Sequence, residues 1–325
     1  MIRIHLSPED LAETRFAFSP AWEAVQSIKA LSDPGKYVFH LPWIGQAKQA
    51  VDGLDLEPLL AILSYPHGYR ADFVTPPPEG PYPDFHEELE RILATPHDIV
   101  RREIGLTYPD GDMPEEARAF IDDPAGALDR LTDTLRIYWE RTLEQHWPRL
   151  RALLEGDVLY RAKRLALEGA EGLFGDLHPE VRWRDGVLTI DKRYEAEVEP
   201  GGRGLVLIPV AFSCPKCSVI TDPPWQPTLV YTPRAIATLW ETGGTQQDGV
   251  LDELIGETRA SILRALEIPM TTTEVASRLG VTPGAASQQL AVLRRAGVID
   301  AHRSGRGVYS ELTPLGASLV SLLDG

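Results

Sequence analysis

The sequence predicts an α+β protein in two parts: a largely helical N-terminal region with a small sheet, then a small C-terminal domain of short helices and a hairpin. Three observations support this. The 325 residues exceed what one small core usually organises. Apolar residues recur at helical spacing through much of the first half. Short apolar runs separated by turn residues appear after Gly175.

Several N-terminal segments have the helical spacing of apolar residues. The helices predicted there are 20–31, 56–63, 84–93, 114–122 and a longest one from Gly126 to about Leu154. Pro148 is expected to kink the last of these, because proline removes a backbone donor and crowds the preceding turn. The proline-rich stretch Thr75–Pro81 is predicted to be a loop.

The small sheet is predicted from three segments. Residues 181–190 form two short apolar runs around Asp185-Gly186, a strong hairpin signal. Gly204–Val210 and Thr228–Tyr231 have the composition of buried strands.

A polar junction at Gly243–Gly249 separates the two parts. The predicted domains are therefore 1–246, helical over 1–175 and sheet-containing over 176–246, and 247–325.

The bulk composition is that of a soluble globular protein, with 43% hydrophobic and 25% charged residues. No apolar run approaches the roughly 18–20 residues that cross a bilayer. The N-terminus lacks the basic and apolar regions of a signal peptide. We therefore expect a cytoplasmic protein with no membrane partner.

The net charge of -16 argues against a nucleic-acid partner unless cations are concentrated locally. Between residues 278 and 306 the only acid is Asp300, whereas the cations are Arg278, Arg294, Arg295, Arg303 and Arg306. Salt screens electrostatic interactions beyond about 8–10 Å. A bound phosphate therefore responds to this local excess of cations more than to the net charge of the whole chain. An acidic body with a basic end is compatible with DNA binding.

The basic end has the pattern of a helix-turn-helix. A first helix is predicted over Leu251–Leu266, and a threonine-capped second helix ends at Gly280. Thr282 as N-cap and Pro283 in the first turn begin a third helix. Two short helices joined by a tight glycine turn form this motif.

The third helix separates its side chains by face. Ala286, Leu290 and Leu293 are predicted to point inward with Val298. The outward residues are Ser287, Gln288, Ala291, Arg294 and Arg295. Small and amide side chains near the helix start suit base edges in a major groove, and the arginines suit phosphates.

The segment Ile299–Leu312 alternates around Ser304-Gly305, which predicts a hairpin with Arg303 and Arg306 at its tip. Such a hairpin is a wing that can reach phosphates or the minor groove. The alternative is a solvated basic turn.

The run Leu290–Ile299, followed by the Arg303–Arg306 wing and Tyr309, resembles the ArsR family of winged helix-turn-helix repressors over roughly the last quarter of the chain. The resemblance implies a homodimer that binds a near-palindromic operator in duplex DNA, with repression relieved by a signal. The candidate DNA-binding residues are Thr282, Ser287, Gln288, Gln289, Arg294, Arg303, Arg306 and Tyr309.

One departure from that family concerns metals. Its metal-sensing members carry two cysteines before the recognition helix, and the matching positions here are Thr271 and Thr273. Threonine supplies no thiolate. The histidine and aspartate ligands of a terminal helix are also missing. We expect no metal sensing at these places and no cofactor.

The N-terminal part resembles an uncharacterised domain found fused to ArsR-like domains in high-GC Gram-positive bacteria. The residues that carry this resemblance are Phe16–Glu23, His40–Trp43 and Asp222–Pro227. The preference for arginine over lysine also suggests a GC-rich genome. Neither observation indicates a chemistry.

Cys214-Pro215-Lys216-Cys217 has the CxxC spacing. Three interpretations are open: incidental thiols, a redox switch, or a metal site completed by His178, His67 or a second subunit.

The predicted function is a sequence-specific transcriptional regulator, a repressor released by a ligand or signal at the N-terminal domain. Seven tryptophans could line a pocket for a small-molecule effector, or pack the core. We expect no enzyme, because the phosphate-loop, nucleophile-elbow and paired-histidine patterns are missing. The alternatives are an enzymatic, redox-responsive or metal-responsive N-terminal domain with an accessory winged helix, and a protein-binding winged helix.

Overall fold

The computed structural model describes residues 1–63, 69–240, 255–266, 269–304 and 307–324. The chain divides into two compact units, unit 1 (Met1–Trp240) and unit 2 (Glu241–Gly325). The predicted boundary after residue 246 and the polar junction lie outside the described residues, as does His67. Of the described helices, none combines the length and apolarity that crossing a bilayer requires.

Unit 1 is an α+β structure, as predicted. Its helices are α1 (Pro8–Glu13), α2 (Pro20–Ser32), α3 (Leu41–Ala50), α4 (Glu57–Leu63), α5 (Phe85–Leu93), α6 (His97–Thr107), α7 (Glu115–Asp122), α8 (Pro124–Thr142) and α9 (Trp147–Phe174). Most of them surround one large apolar core, into which Trp43, Phe73, Leu135 and Tyr138 are fully buried.

The predicted long helix from Gly126 to Leu154 is wrong. The chain breaks between α8 and α9, where a 3-10 turn spans Glu144–His146. Pro148 lies in the first turn of α9, where a missing N–H removes no helical hydrogen bond. Proline here helps to begin a helix and does not kink one. Gly169 has non-helical angles (φ 68°) inside α9.

The strands of unit 1 form two four-stranded sheets, ordered β3-β4-β1-β5 and β2-β6-β8-β7. Their bounds are β1 (Ile2–His5), β2 (Arg15–Phe16), β3 (Val181–Arg184), β4 (Val187–Ile190), β5 (Ala196–Val198), β6 (Val206–Pro209), β7 (Ser218–Ile220) and β8 (Thr228–Tyr231). The hairpin at Asp185-Gly186 is confirmed, since Arg184 pairs with Val187.

The two predicted buried strands correspond to β6 and β8, which pair in parallel with Val206 opposite Thr228. The sequence analysis predicts neither β1 nor β2, although β1 is a central strand. It pairs antiparallel with β4 and parallel with β5, so that Ile2 lies between Ile190 and Ala196. Partners more than 180 residues away give no local sequence signal.

A buried glutamate joins α2 to the chain that follows β6. The Oε1 atom of Glu23 accepts a hydrogen bond from the backbone N–H of Ala211 (2.7 Å), and Oε2 accepts one from Phe212 (3.2 Å). Burial raises the pKa of Glu23 to about 8, against the opposing effect of these two donors. The carboxyl group satisfies both N–H groups.

Unit 2 contains a three-stranded sheet and several helices. The strand order of the sheet is β10-β11-β9. Its elements are α10 (Glu257–Ala265), β9 (Met270–Thr271), α11 (Thr272–Leu279), α12 (Pro283–Arg295), β10 (Ile299–Ser304), β11 (Gly307–Leu312) and α13 (Pro314–Asp324). A separate apolar core, including Ile262, Val275 and Leu290, holds them together. The predicted helix at 251–266 is α10, and residues 251–254 lie outside the described residues.

We expect Glu23→Gln to destabilise unit 1 by about 2 kcal/mol above pH 8, where the ionised carboxylate accepts from both buried N–H groups and the amide would turn an NH2 group toward one of them. Urea unfolding of the full chain, followed by tryptophan fluorescence, measures this. Glu90→Gln is the matched control, since Glu90 is exposed on α5. Equal losses in the two variants would contradict the role given to Glu23.

Candidate nucleic-acid interface

The helix before the turn, α11, is defined by its caps. The Thr271 hydroxyl accepts from the N–H of Glu274 (3.3 Å), and the Glu274 carboxylate accepts from the N–H of Thr271 (2.7 Å). This is a capping box. Gly280 ends the helix with φ 64°, a left-handed conformation that glycine adopts without strain. Thr271, one of the two positions compared with metal-sensing cysteines, is therefore a helix cap.

The helix after the turn, α12, begins as predicted. Thr282 is its N-cap and accepts from the N–H of Ala285 (3.2 Å), and Pro283 occupies the first turn. The remaining N–H groups at this end have no partner within the helix. They combine with the positive end of the helix dipole to favour an anion such as a phosphate.

The two faces of α12 are those predicted. Ala286, Leu290 and Leu293 are at most 3% exposed and pack into the core of unit 2. The exposed residues are Ser287, Gln288, Ala291, Arg294 and Arg295. A polar face without large side chains at its start can approach base edges, and its two terminal cations can approach a backbone.

Gln289 is oriented differently from Gln288. It is half-buried, and its Oε1 atom accepts a hydrogen bond from Nε of Arg259 (2.9 Å), a residue of α10. Its amide group is thus fixed by its own domain before any ligand binds. Arg259, which the sequence analysis does not identify, is a positioning residue for this side of α12.

The wing is the β10–β11 hairpin. The predicted hairpin is present, and its register places Arg303 opposite Val308 and Ser304 opposite Gly307. Arg303 is exposed, whereas Arg306 lies outside the described residues. Tyr309 is half-buried and stacks on His302, with ring centroids 6.1 Å apart. Tyr309 is therefore part of the wing and packs on the residue opposite it in β10.

The cations of this surface are accessible. Arg278 at the end of α11, Arg294 and Arg295 at the end of α12, and Arg303 on the wing are all exposed. Three elements of one small domain thus contribute positive charge around the exposed face of α12. This distribution suits a polyanionic ligand in spite of the acidic chain.

The structure brings Cys217 together with His178, a predicted ligand, and with Glu180, which the sequence analysis does not name. Candidate ligand atoms of His178, Glu180 and Cys217 all lie within 4.8 Å of one another. The Cys217 thiol donates to Oε2 of Glu180 (3.2 Å), and the Lys192 ammonium binds the same oxygen (2.6 Å). A metal ion would have to displace both the thiol proton and Lys192.

The two cysteines are free thiols. Burial raises the pKa of the Cys217 thiol to about 12 and also raises that of Cys214. His178 accepts from the N–H of Glu180 through Nδ1 and contacts the Pro215 carbonyl oxygen through Nε2. This arrangement favours protonated thiols in a hydrogen-bonded network, the least reactive of the three interpretations.

Several tryptophans are core residues. Trp43 and Trp240 pack around Phe212, and the indole N–H of Trp240 donates to Nδ1 of His40 (2.8 Å). Burial lowers the pKa of His40 to about 4. Trp22 is also fully buried. For these residues the contacts favour core packing over a ligand pocket.

Comparison with known families matches the two parts separately. Residues 254–302 match a family model described as helix-turn-helix domain. The chain carries a helix-turn-helix domain. Residues 112–236 match a family of unknown function, DUF5937. The recognised motif thus spans the two helices and the turn described above.

Among solved structures, the chain is similar to reduced HlyU from Vibrio cholerae N16961. The identity is 28%, the match covers 26% of this chain and 92% of that chain, and the TM-score is 0.21. No inference about fold or function rests on that similarity. None of the curated proteins matches the chain.

We expect Gly316→Ala to destabilise unit 2 by about 2 kcal/mol or more, because a Cβ atom there would lie 1.9 Å from the carbonyl oxygen of Val298. Gly284→Ala is the matched control on α12, where a Cβ meets nothing within 4 Å and alanine should stabilise the helix by about 1 kcal/mol. Hydrogen exchange of unit 2 peptides in the full chain measures both. Protection that falls equally in the two variants would be inconsistent with this packing.

Proposed function

We propose that this protein is a sequence-specific DNA-binding transcriptional regulator of the ArsR type. The observation that carries the proposal is the exposed face of α12, where Ser287 and Gln288 lie in the second turn after the Thr282 cap and Arg294 lies six residues after Gln288. Small polar groups at the helix start suit base edges in a major groove, with arginines on the flanking phosphates. The helix-turn-helix match supports this reading.

The protein binds a near-palindromic operator as a homodimer in this proposal, with two recognition helices about 34 Å apart in successive major grooves. It acts as a repressor, because a dimer bound across a promoter blocks polymerase. The acidic charge of the chain, -16 in total, reduces binding to DNA that offers no specific contacts.

In this proposal, unit 1 detects the signal that changes the affinity for the operator. It contains 240 residues that DNA binding does not need, with its own cores and sheets. We assign it a sensory role, without catalysis, in which a ligand or signal shifts the dimer between two conformations of different operator affinity.

We expect Arg303→Ala and Arg306→Ala each to weaken operator binding several-fold and to lower the salt dependence of the affinity by about one counterion. Both changes follow from the loss of a phosphate contact, which is independent of base sequence. Fluorescence anisotropy with a duplex from the promoter of the protein's own gene, titrated with salt, measures both.

Arg184→Ala is the control for those variants, because Arg184 is a highly exposed arginine of unit 1 (90% of its side chain). It should leave affinity and salt slope unchanged. Wing variants that behave like Arg184→Ala would refute the role of the wing.

We expect Gln288→Ala to change sequence preference and to leave the salt slope intact, because an amide contributes hydrogen bonds to a base edge and no charge. The cost should be about 1–3 kcal/mol at the contacted base pair only. Selection of bound duplexes from a randomised pool, compared between variant and parent, measures this. Identical preferences in the two pools would show that Gln288 contacts no base.

A further inference from the structure

Helix α9 turns one side toward solvent along several turns. Its opposite side is buried by Leu150, Leu154 and the ion pair of Asp157 with Arg161. On the outer side, Leu159 is 71% exposed and Leu167 is 73% exposed. Leu167 lies about 80° further round the helix, whereas Leu159 lies among small residues that leave its exposed side chain with little polar cover.

The outer face is centred on Leu159. At about 100° per residue, the side chains that lie within seven residues of Leu159 and within about 60° of it around the helix belong to Ala152, Glu155, Gly156, Ala162, Lys163 and Ala166. Apart from one acid and one base, these residues are small. A Cβ atom added at Gly156 would meet nothing within 4 Å, so the space above this turn is open.

This face is chemically symmetric about Leu159. Moving away from it in both directions, glycine is matched by alanine at three residues, Glu155 by Lys163 at four, and Ala152 by Ala166 at seven. In an antiparallel pair of identical helices with a two-fold axis at Leu159, matched positions lie at the same height. Each acid then faces a base. A parallel pair would place like charges together.

We propose that this face of α9 binds the same face of a second copy of the chain, antiparallel, with the two-fold axis at Leu159. The two leucines meet at the axis, so the helix axes lie about 10 Å apart, and the small residues around them leave room for both side chains. Glu155 bonds Arg151 through Oε1 (2.8 Å), which leaves Oε2 for Lys163 of the partner subunit. The inference deepens the proposed homodimer, on which it rests, by giving unit 1 an interface.

A single helix pair of this length buries less area than the roughly 800 Å² per partner of a stable interface. It therefore acts together with pairing elsewhere in the proposed homodimer. Two modest contacts in one chain reinforce each other, because formation of the first raises the effective concentration for the second.

Disulfide trapping tests the axis. In the full chain with Cys214→Ser and Cys217→Ser, Leu159→Cys places two thiols across the axis within the Cα separation of about 4.4–6.8 Å that a disulfide needs. Leu167→Cys is the control, equally exposed but about 12 Å along the helix, so that its two copies lie about 24 Å apart. We expect cross-linking at least tenfold faster at position 159. Equal rates, or a faster rate at 167, overturn the proposal.

Charge exchange tests the pairing. Lys163→Glu places acid opposite acid and should weaken dimerisation about tenfold in low salt, measured by sedimentation of the full chain. Adding Glu155→Lys restores opposite charges and should return the dissociation constant to within about threefold of the parent. Failure of the double variant to recover excludes the antiparallel register.

Both tests use protein without DNA, so their outcome is independent of operator binding. If position 159 fails to cross-link while the operator still binds, the α9 interface is wrong and the proposed regulator remains. If cross-linking occurs as expected but no duplex binds, the interface remains and the proposed function is wrong.

Discussion

Unit 1 depends on buried carboxyl groups that accept from backbone N–H groups outside regular pairing. Glu23 on α2 holds the N–H groups that follow β6, and Glu88 on α5 accepts from the Ser19 hydroxyl and the N–H of Ala21 at the start of α2. A buried N–H without a partner costs about 1–3 kcal/mol. These contacts therefore fix α2 relative to the second sheet and to α5. The large apolar core packs against this helix through residues such as Ala24, Val25 and Ile28.

Unit 2 is organised by shorter-range interactions. A capping box starts α11, a glycine in the left-handed conformation ends it, and Thr282 starts α12 two residues later. Each of these devices joins residues within one helical turn. The angle between the two helices, and with it the exposed face of α12, follows from a few consecutive residues. Such local interactions suit a domain whose apolar core is small.

Long-range contacts organise unit 1 and local contacts organise unit 2, and this difference explains which features the sequence could predict. The start and the two faces of α12 are local properties, and both are as predicted. The break between α8 and α9 is not local, because Leu143 is fully buried and continues the apolar pattern across it. Likewise the central place of β1 depends on partners in β4 and β5. At the interface, the amide of Gln289 is set by Arg259, thirty residues earlier, which periodicity alone cannot reveal.

A regulator that responds to a signal needs contacts between its subunits that are weak enough for a ligand to open or close. A ligand shifts an equilibrium only by the difference between its affinities for the two conformations. An interface built from one exposed leucine, small residues and charge pairs worth about 0–1 kcal/mol each can be opened or closed by a modest binding energy. A large apolar interface in unit 1 would hold the dimer in one state. In the proposed dimer, the exposed face of α9 is thus better suited to a contact that opens and closes than to a permanent one.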